Sequence, residues 1–277
     1  MDRRARLLGD RDPARLKGLE IGPCYAPMIA KGEGDVAYVD YATTEEIRRD
    51  WIKTTVAPDQ MHEVDVVWGD RRLSDAVPEP VDYVVASHVV EHAPDLVAWL
   101  GEIREVLKPG GMLGLAVPDR RFTFDLLRPV STLGEVVEAH LLGYRRPSIR
   151  QVFDSYALTR PNDAGAAWGA DQTRTLKTVP AKLATTFATV QAMLADGRYV
   201  DSHCWVFTPA SFLDTLAGML ALGWFGYRVE AFFPTERGAI EFQVRLVADD
   251  DQSSIAASIQ AARETLARAA VAPEDQR

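Results

Sequence analysis

The stretch VDYVVASHVVEHAPDLVAWLGEIREVLKPGGMLGLAVPD, residues 81–119, decides the fold. Val81 to Ser87 is almost free of polar interruption, and its length is that of a strand, not a helix. Pro94-Asp95 is a good helix start. Leu96, Trp99, Leu100, Ile103, Val106 and Leu107 then recur at helical spacing on one face. Lys108-Pro109-Gly110-Gly111 stops that helix, and Met112 to Val117 is a second apolar strand ended by Pro118-Asp119. Two near-continuous apolar strands joined by an amphipathic helix suit a parallel sheet covered on both faces.

The same alternation extends upstream. Leu16–Ile21, Val36–Asp40 and Val64–Trp68 are short apolar runs, each ending in Gly, Asp or both. Between the second and third, Thr44-Glu45-Glu46-Ile47 places a capping hydroxyl and acids at the start of a helix that runs to Trp51 or Lys53. The pattern then points to an α/β, Rossmann-like, doubly wound sheet. Downstream it changes. Residues 119–204 hold no clean strand, and helices are expected at Leu133–Leu142, Ile149–Tyr156 and Leu183–Leu194, with a loop-forming cluster from Pro161 to Gly169. This segment is too long for a plain loop and reads as a helical cap inserted into the sheet domain. Thr208-Pro209 starts a helix to Leu222, strands are expected at 224–233 and 239–247, and an Ala-rich helix at 252–270. The expected organisation is a core of residues 1–118 and 205–250, a cap of 119–204, and a helix and tail of 251–277.

Composition narrows the function. The chain has 277 residues, 47% hydrophobic and 26% charged, with a net charge of −9, so no nucleic-acid partner is expected. No apolar run reaches the roughly 18 residues of a membrane span, and the charged start has no apolar segment behind it. Two cysteines, Cys24 and Cys204, make no disulfide framework, and a cytoplasmic setting is expected.

Ligands of doubly wound sheets bind at the carboxyl ends of the strands. Those ends carry Glu20-Ile21-Gly22, Asp40, Asp70 and Ser87-His88. Gly22 lets backbone approach closely, Asp40 can accept from both hydroxyls of a ribose, and Asp70 from an adenine amino group. The plain alternative is that Asp and Gly merely punctuate strand ends. Four such ends in strand order argue for a shared ligand.

This set, with Val89-Val90-Glu91-His92 and Leu107-Lys108-Pro109-Gly110-Gly111, resembles the class I S-adenosylmethionine (SAM)-dependent methyltransferases, of the type 11-like branch. Pro118–Asp125 and His203–Pro209 resemble members found with bacterial glycosyltransferases. The resemblance implies a seven-stranded sheet with the last strand antiparallel, SAM as cofactor, and a glycan or small hydroxylated metabolite as acceptor, methylated on oxygen. It implies cofactor contacts from Glu20, Gly22, Pro23, Cys24, Asp40, Asp70, Ser87 and His88. The chain departs from the family at one place: only one glycine remains in Glu20-Ile21-Gly22-Pro23-Cys24-Tyr25. That departure leaves open a SAM-fold binding module without catalysis. The absence of G-x-G-x-x-G argues against a nicotinamide oxidoreductase.

His88, Glu91 and His92 are spaced to share one face of a helical turn. They can contact SAM or the acceptor, bind a metal, or fix the loop by hydrogen bonds; no metal is assigned from spacing alone. General-base candidates are His88, His140 and Asp125. Asp119, Arg120, Arg121, Tyr144 and His203 are acceptor-side candidates, although Arg120 and Arg121 can instead pair with acids. Trp205, Phe207 and Trp224 read as core, and Cys24 as packing.

Overall fold

The computed structural model describes residues 2–50, 57–159, 168 and 180–271. Seven strands form one sheet: β1 (Lys17–Ile21), β2 (Asp35–Asp40), β3 (Val66–Val67), β4 (Val81–Ser87), β5 (Leu107–Pro118), β6 (Tyr227–Phe233) and β7 (Glu241–Ala248). Their order is β3-β2-β1-β4-β5-β7-β6. β3, β2, β1, β4 and β5 run parallel, and β7 is antiparallel to both neighbours. The expected doubly wound sheet with an antiparallel last strand is therefore present.

Side-chain alternation splits β4 between two cores. Val84 and Ala86 join the larger one, with Leu19, Ile21, Leu113, Leu115 and the helices α4 (Leu96–Val106), α8 (Pro209–Ala221) and α9 (Gln252–Val271). Tyr83 and Val85 join the smaller one, with Tyr38, Ile29, Met112 and the Leu7 and Leu8 side chains of the short α1 (Arg3–Leu8). α4 begins where Asp95 accepts the Ala98 N–H at 3.0 Å. It buries Leu96, Val97, Leu100, Ile103 and Val106.

The remaining described helices are α2 (Thr44–Asp50), α3 (Leu73–Ala76), α5 (Leu133–Leu141), α6 (Ile149–Leu158) and α7 (Pro180–Asp196). Capping boxes start α5 (Thr132 with Glu135), α6 (Ser148 with Gln151) and α8 (Thr208 with Ser211). The three helices expected between β5 and β6 are thus found. The Pro161–Gly169 cluster, apart from Trp168, and the end of the helix at Trp51 or Lys53 lie outside the described residues.

Several boundaries differ from expectation, among them the start of β6, at Tyr227 and not 224, and two of the differences shape the sheet. β3 shrinks to Val66–Val67, because Asp65 turns back to accept the Tyr38 N–H at 2.6 Å. β5 starts earlier, at Leu107, which pairs with Val81; the register then shifts, and Met112 pairs with Tyr83. Lys108 to Gly110 is the exposed excursion between these pairings, and Lys108 donates to Asp82 at 2.8 Å.

Candidate active site

Among the described residues, two that are not glycine have positive φ: Cys24 (51°) and His88 (55°). Both follow the carboxyl ends of neighbouring central strands, β1 and β4. The left-handed region is unfavourable for residues bearing a Cβ, so both are held there by their surroundings.

The loop after β1 is built on Glu20. Its carboxylate is 2% exposed and accepts the Met28 N–H at 2.6 Å and the Ile29 N–H at 3.0 Å. Burial pushes its pKa up, against the lowering effect of these two donors. Glu20 therefore shapes the expected cofactor loop from beneath. Gly22 has φ of 64°, and a Cβ there would come within 2.8 Å of Val89 Cγ2. Glycine is thus required by Val89 of the β4 loop, whether or not a ligand is present. Cys24 takes the left-handed turn that a second glycine would otherwise supply, and its carbonyl accepts the His62 N–H at 2.8 Å.

Asp40 ends β2, half-buried, and its side chain accepts the Tyr41 N–H at 2.7 Å. Burial pushes its carboxyl up to about 6. A desolvated carboxylate served by one donor from its own neighbour is suited to accept ribose hydroxyls. On that observation the residues present fit an adenosine ligand. Asp70 lies exposed beyond β3, its carbonyl accepting from Arg145 at 2.6 Å. Ser87 Oγ accepts from Arg3 at 2.5 Å.

At the end of β4 the side chains converge. His88 Nε2 lies 2.6 Å from Glu241 Oε2 on β7. Glu241 also accepts from Arg3 at 2.6 and 2.7 Å and from Gln243 at 2.7 Å. Burial opposes its ionisation, yet the His88 and Arg3 donors bring its carboxyl down to about 2. It is therefore an acceptor, Nε2 carries the hydrogen, and Nδ1 of His88 is the basic nitrogen. Nδ1 faces Glu91, 3.7 Å from Oε1.

Glu91 lies in a 3₁₀ turn (Val90–His92) after β4 and is 1% exposed. Its backbone carbonyl accepts from Cys204 N at 2.6 Å and Trp205 N at 3.1 Å, which brings the 202–205 segment alongside. His203, buried, thereby reaches the same point, with Nε2 3.9 Å from Glu91 Oε1. His203 Nδ1 is 2.5 Å from Asp125 Oδ2, and Arg128 clamps this pair, donating to Asp125 at 2.8 Å and to the His203 carbonyl at 2.8 Å. His92 Nδ1 is 2.9 Å from Asp201 Oδ1. Burial raises the pKa of both aspartates, but their histidine partners bring each below the usual range.

Of the residues singled out from sequence, His88, Glu91, His92, Asp125 and His203 are thus brought together. Others are placed elsewhere. His140 sits on the flank of α4, 3.1 Å from Asp95 and edge-on to Trp224. It lines a cleft of about 590 Å³ with Gly101, Glu102 and Phe225, beside the amino end of β6 and away from the carboxyl ends of the parallel strands. Tyr144 packs against the larger core. Asp119 is fully buried and saturated by Arg121 and by Thr235 at 2.7 Å, tying β5 to the β6–β7 connection. Arg120 donates to the Leu126 carbonyl at 2.5 Å. Trp205 and Phe207 are buried in the core as read.

Five residues of the site escaped the sequence reading: Arg3, Arg128, Asp201, Glu241 and Gln243. Glu241 and Gln243 had one available signal, polar residues two apart in an otherwise apolar strand. Arg3 and Asp201 had none.

Residues 36–113 match a family model described as a methyltransferase domain. No curated protein matches the chain. Similar solved structures include the CcbJ methyltransferase from Streptomyces caelestis, with 16% identity over 43% of this chain and 53% of that one, TM-score 0.31. A SAM-dependent methyltransferase from Mesorhizobium loti shows 14% identity over 88% of this chain and 94% of that one, TM-score 0.41. The trans-methyltransferase CalH, in complex with S-adenosylhomocysteine (SAH), shows 16% identity over 88% of this chain and 54% of that one, TM-score 0.39. The chain spans about half the length of CcbJ and of CalH. Residues 36–113 are thus similar to a methyltransferase domain, and the sheet order with its antiparallel β7 is that of a Rossmann-like α/β fold.

Proposed function

We propose that the chain transfers a methyl group from SAM to a hydroxyl of a glycan or small hydroxylated metabolite, with His88 as general base. The observation that carries this reading is the His88–Glu241 pair at the carboxyl end of β4. SAM carries its methyl on a sulfonium, already activated for in-line displacement. What an alcohol acceptor lacks is nucleophilicity near neutral pH, so a positioned base is the protein's main chemical contribution beyond alignment. His88 Nδ1 takes the hydroxyl proton. Glu241 orients the ring through Nε2–H and stabilises the imidazolium that forms, while Arg3 and Gln243 hold Glu241 in place.

Asp40 holds the ribose hydroxyls of the cofactor, the Gly22–Met28 loop shaped by Glu20 encloses its amino-acid end, and Asp70 serves its adenine. The acceptor is recognised by the 119–204 segment. Phe124, exposed and 4.6 Å from the His203 ring, and the stacked Tyr41–Tyr199 pair offer flat apolar faces for a ring-shaped acceptor.

The test is transfer of a labelled methyl from SAM into glycan and small-metabolite fractions, with the product identified. An O-methyl product is expected. His88→Asn should lower kcat by about 10²–10⁴-fold while SAH affinity is unchanged. A product methylated on nitrogen or carbon, or wild-type kcat in His88→Asn, defeats the reading.

A further inference from the structure

We propose that Glu91, His92 and His203 bind a divalent transition-metal ion, Zn²⁺ foremost, beside His88. The starting observation is that Glu91 is 1% exposed and, among the described residues, neither of its side-chain oxygens has a hydrogen bond. A buried carboxylate without donors carries a desolvation cost that native structures almost always offset with a hydrogen bond or a cation. Its neighbours do not supply the hydrogen bond. His92 Nε2 and His203 Nε2 lie 4.0 and 3.9 Å from Glu91 Oε1, beyond hydrogen-bonding range.

The two histidines are also presented the wrong way round for donating. Each places Nδ1 against a carboxylate, His92 against Asp201 and His203 against Asp125. A carboxylate accepts, so Nδ1 carries the hydrogen, and in the neutral imidazole Nε2 presents a lone pair. Two lone pairs and a carboxylate oxygen then face one another, all within 4.8 Å. With both rings neutral, a cation between them would satisfy all three atoms. Carboxylate-bound histidines with the opposite nitrogen turned inward are the arrangement that holds metal-ligating imidazoles in position. In a tetrahedral Zn²⁺ site, bonds of about 2.0–2.1 Å place ligand atoms about 3.4 Å apart. The trio reaches that spacing if each side chain shifts by less than roughly an ångström.

Two imidazoles and one carboxylate favour Zn²⁺ and its transition-metal neighbours over Mg²⁺ or Ca²⁺, which prefer oxygen throughout. Three protein ligands leave a position open, as in catalytic sites. A hydroxyl bound there loses its proton more readily, and His88 Nδ1, 3.7 Å from Glu91 Oε1, is the adjacent base. The acceptor O–C bond then forms as the S–C bond of the donor breaks, and the hydroxyl proton leaves for His88. This role in the reaction rests on the methyl-transfer reading; metal binding itself does not.

The test uses the full chain, freed of metal with dipicolinate and titrated with Zn²⁺ by calorimetry and with Co²⁺ by visible absorption. One equivalent per chain is expected, with ligand-field bands from Co²⁺. Asp125→Asn should weaken Zn²⁺ about 10–100-fold, and Glu91→Gln, His92→Gln and His203→Gln by more. SAH binding, measured on the same samples, reports that each variant is folded. If Glu91→Gln does not fold, the half-exposed His92→Gln tests the same site. Wild-type protein that binds SAH but neither metal, or folded ligand variants with wild-type metal affinity, overturns the proposal. Stoichiometric metal binding without SAH binding supports this site and overturns the methyl-transfer reading instead.

Discussion

Glu20 and Glu91 sit at the ends of paired strands and are equally buried, yet they live in opposite ways. Glu20, 2% exposed, accepts two backbone N–H groups and thereby folds the loop after β1. The Glu91 carboxylate, 1% exposed, accepts none among the described residues and is ringed by three histidine nitrogens at 3.7–4.0 Å. The first carboxylate is committed to the architecture. The second is held unsatisfied at a cost to stability, which is the mark of a group kept for a ligand.

The sharpest way to break this comparison is to remove each carboxylate's charge in metal-free protein. Glu20→Ala should lose about 2–4 kcal/mol, from two hydrogen bonds to a charged acceptor. Glu91→Gln should lose no stability and gain about 1–3 kcal/mol, since no hydrogen bond is forfeited and an unpaired buried charge is removed. Urea midpoints at constant slope measure both. Equal losses would erase the distinction.

Most of the sheet was legible because its signals are local. Val81–Ser87 is a strand in both readings, and the β4–α4–β5 unit follows from apolar spacing and the Asp95 cap. The site was legible only in part. His88, Glu91 and His92 lie together in sequence, so their clustering was readable. Their orientation was not, because it depends on Glu241, 153 residues from His88, on Asp201, 109 residues from His92, and on His203, itself held by Asp125 78 residues before it. His140 had the right residue type in a cap helix, but α5 packs it on α4. Gly22 was read as a space for ligand, whereas Val89 fills that space.

A second test sharpens the contrast between architecture and ligand at Asp40. Asp40→Asn should weaken SAH binding by about 10–100-fold, the worth of hydrogen bonds to a charged acceptor. The pH dependence has a definite sign. On the proposed reading the ionised carboxylate accepts the ribose hydroxyls, and burial pushes its pKa in the free protein up to about 6. Calorimetry should therefore show affinity falling by about tenfold per pH unit below that value, and the variant should show a flat profile. Stability runs the other way. A folded-state pKa above the unfolded one means that ionisation costs stability above about 6 and nothing below the unfolded value. Asp40→Asn should accordingly raise Tm at pH 8 and leave it unchanged at pH 3.

The smallest effect concerns the turn that replaces the missing glycine. Cys24→Val should cost about 1 kcal/mol, because a β-branched residue tolerates φ of 51° poorly. Cys24→Asn should be within about 0.5 kcal/mol of the parent, since Asn enters the left-handed region readily. Thermal unfolding of the two variants separates backbone strain from side-chain packing at this position.

The bond from Arg3 to Glu241 spans 238 residues, and this gives the site a place in time. Contacts so distant in sequence carry the largest loop-closure cost and form late. A chain emerging from the ribosome displays Arg3 and His88 long before β7 exists to slot between β5 and β6. Until that strand arrives, the cofactor loop of β1 can assemble but the imidazole has no carboxylate behind it. On the proposed reading, the appearance of methyl transfer during refolding would date the insertion of β7 between β5 and β6.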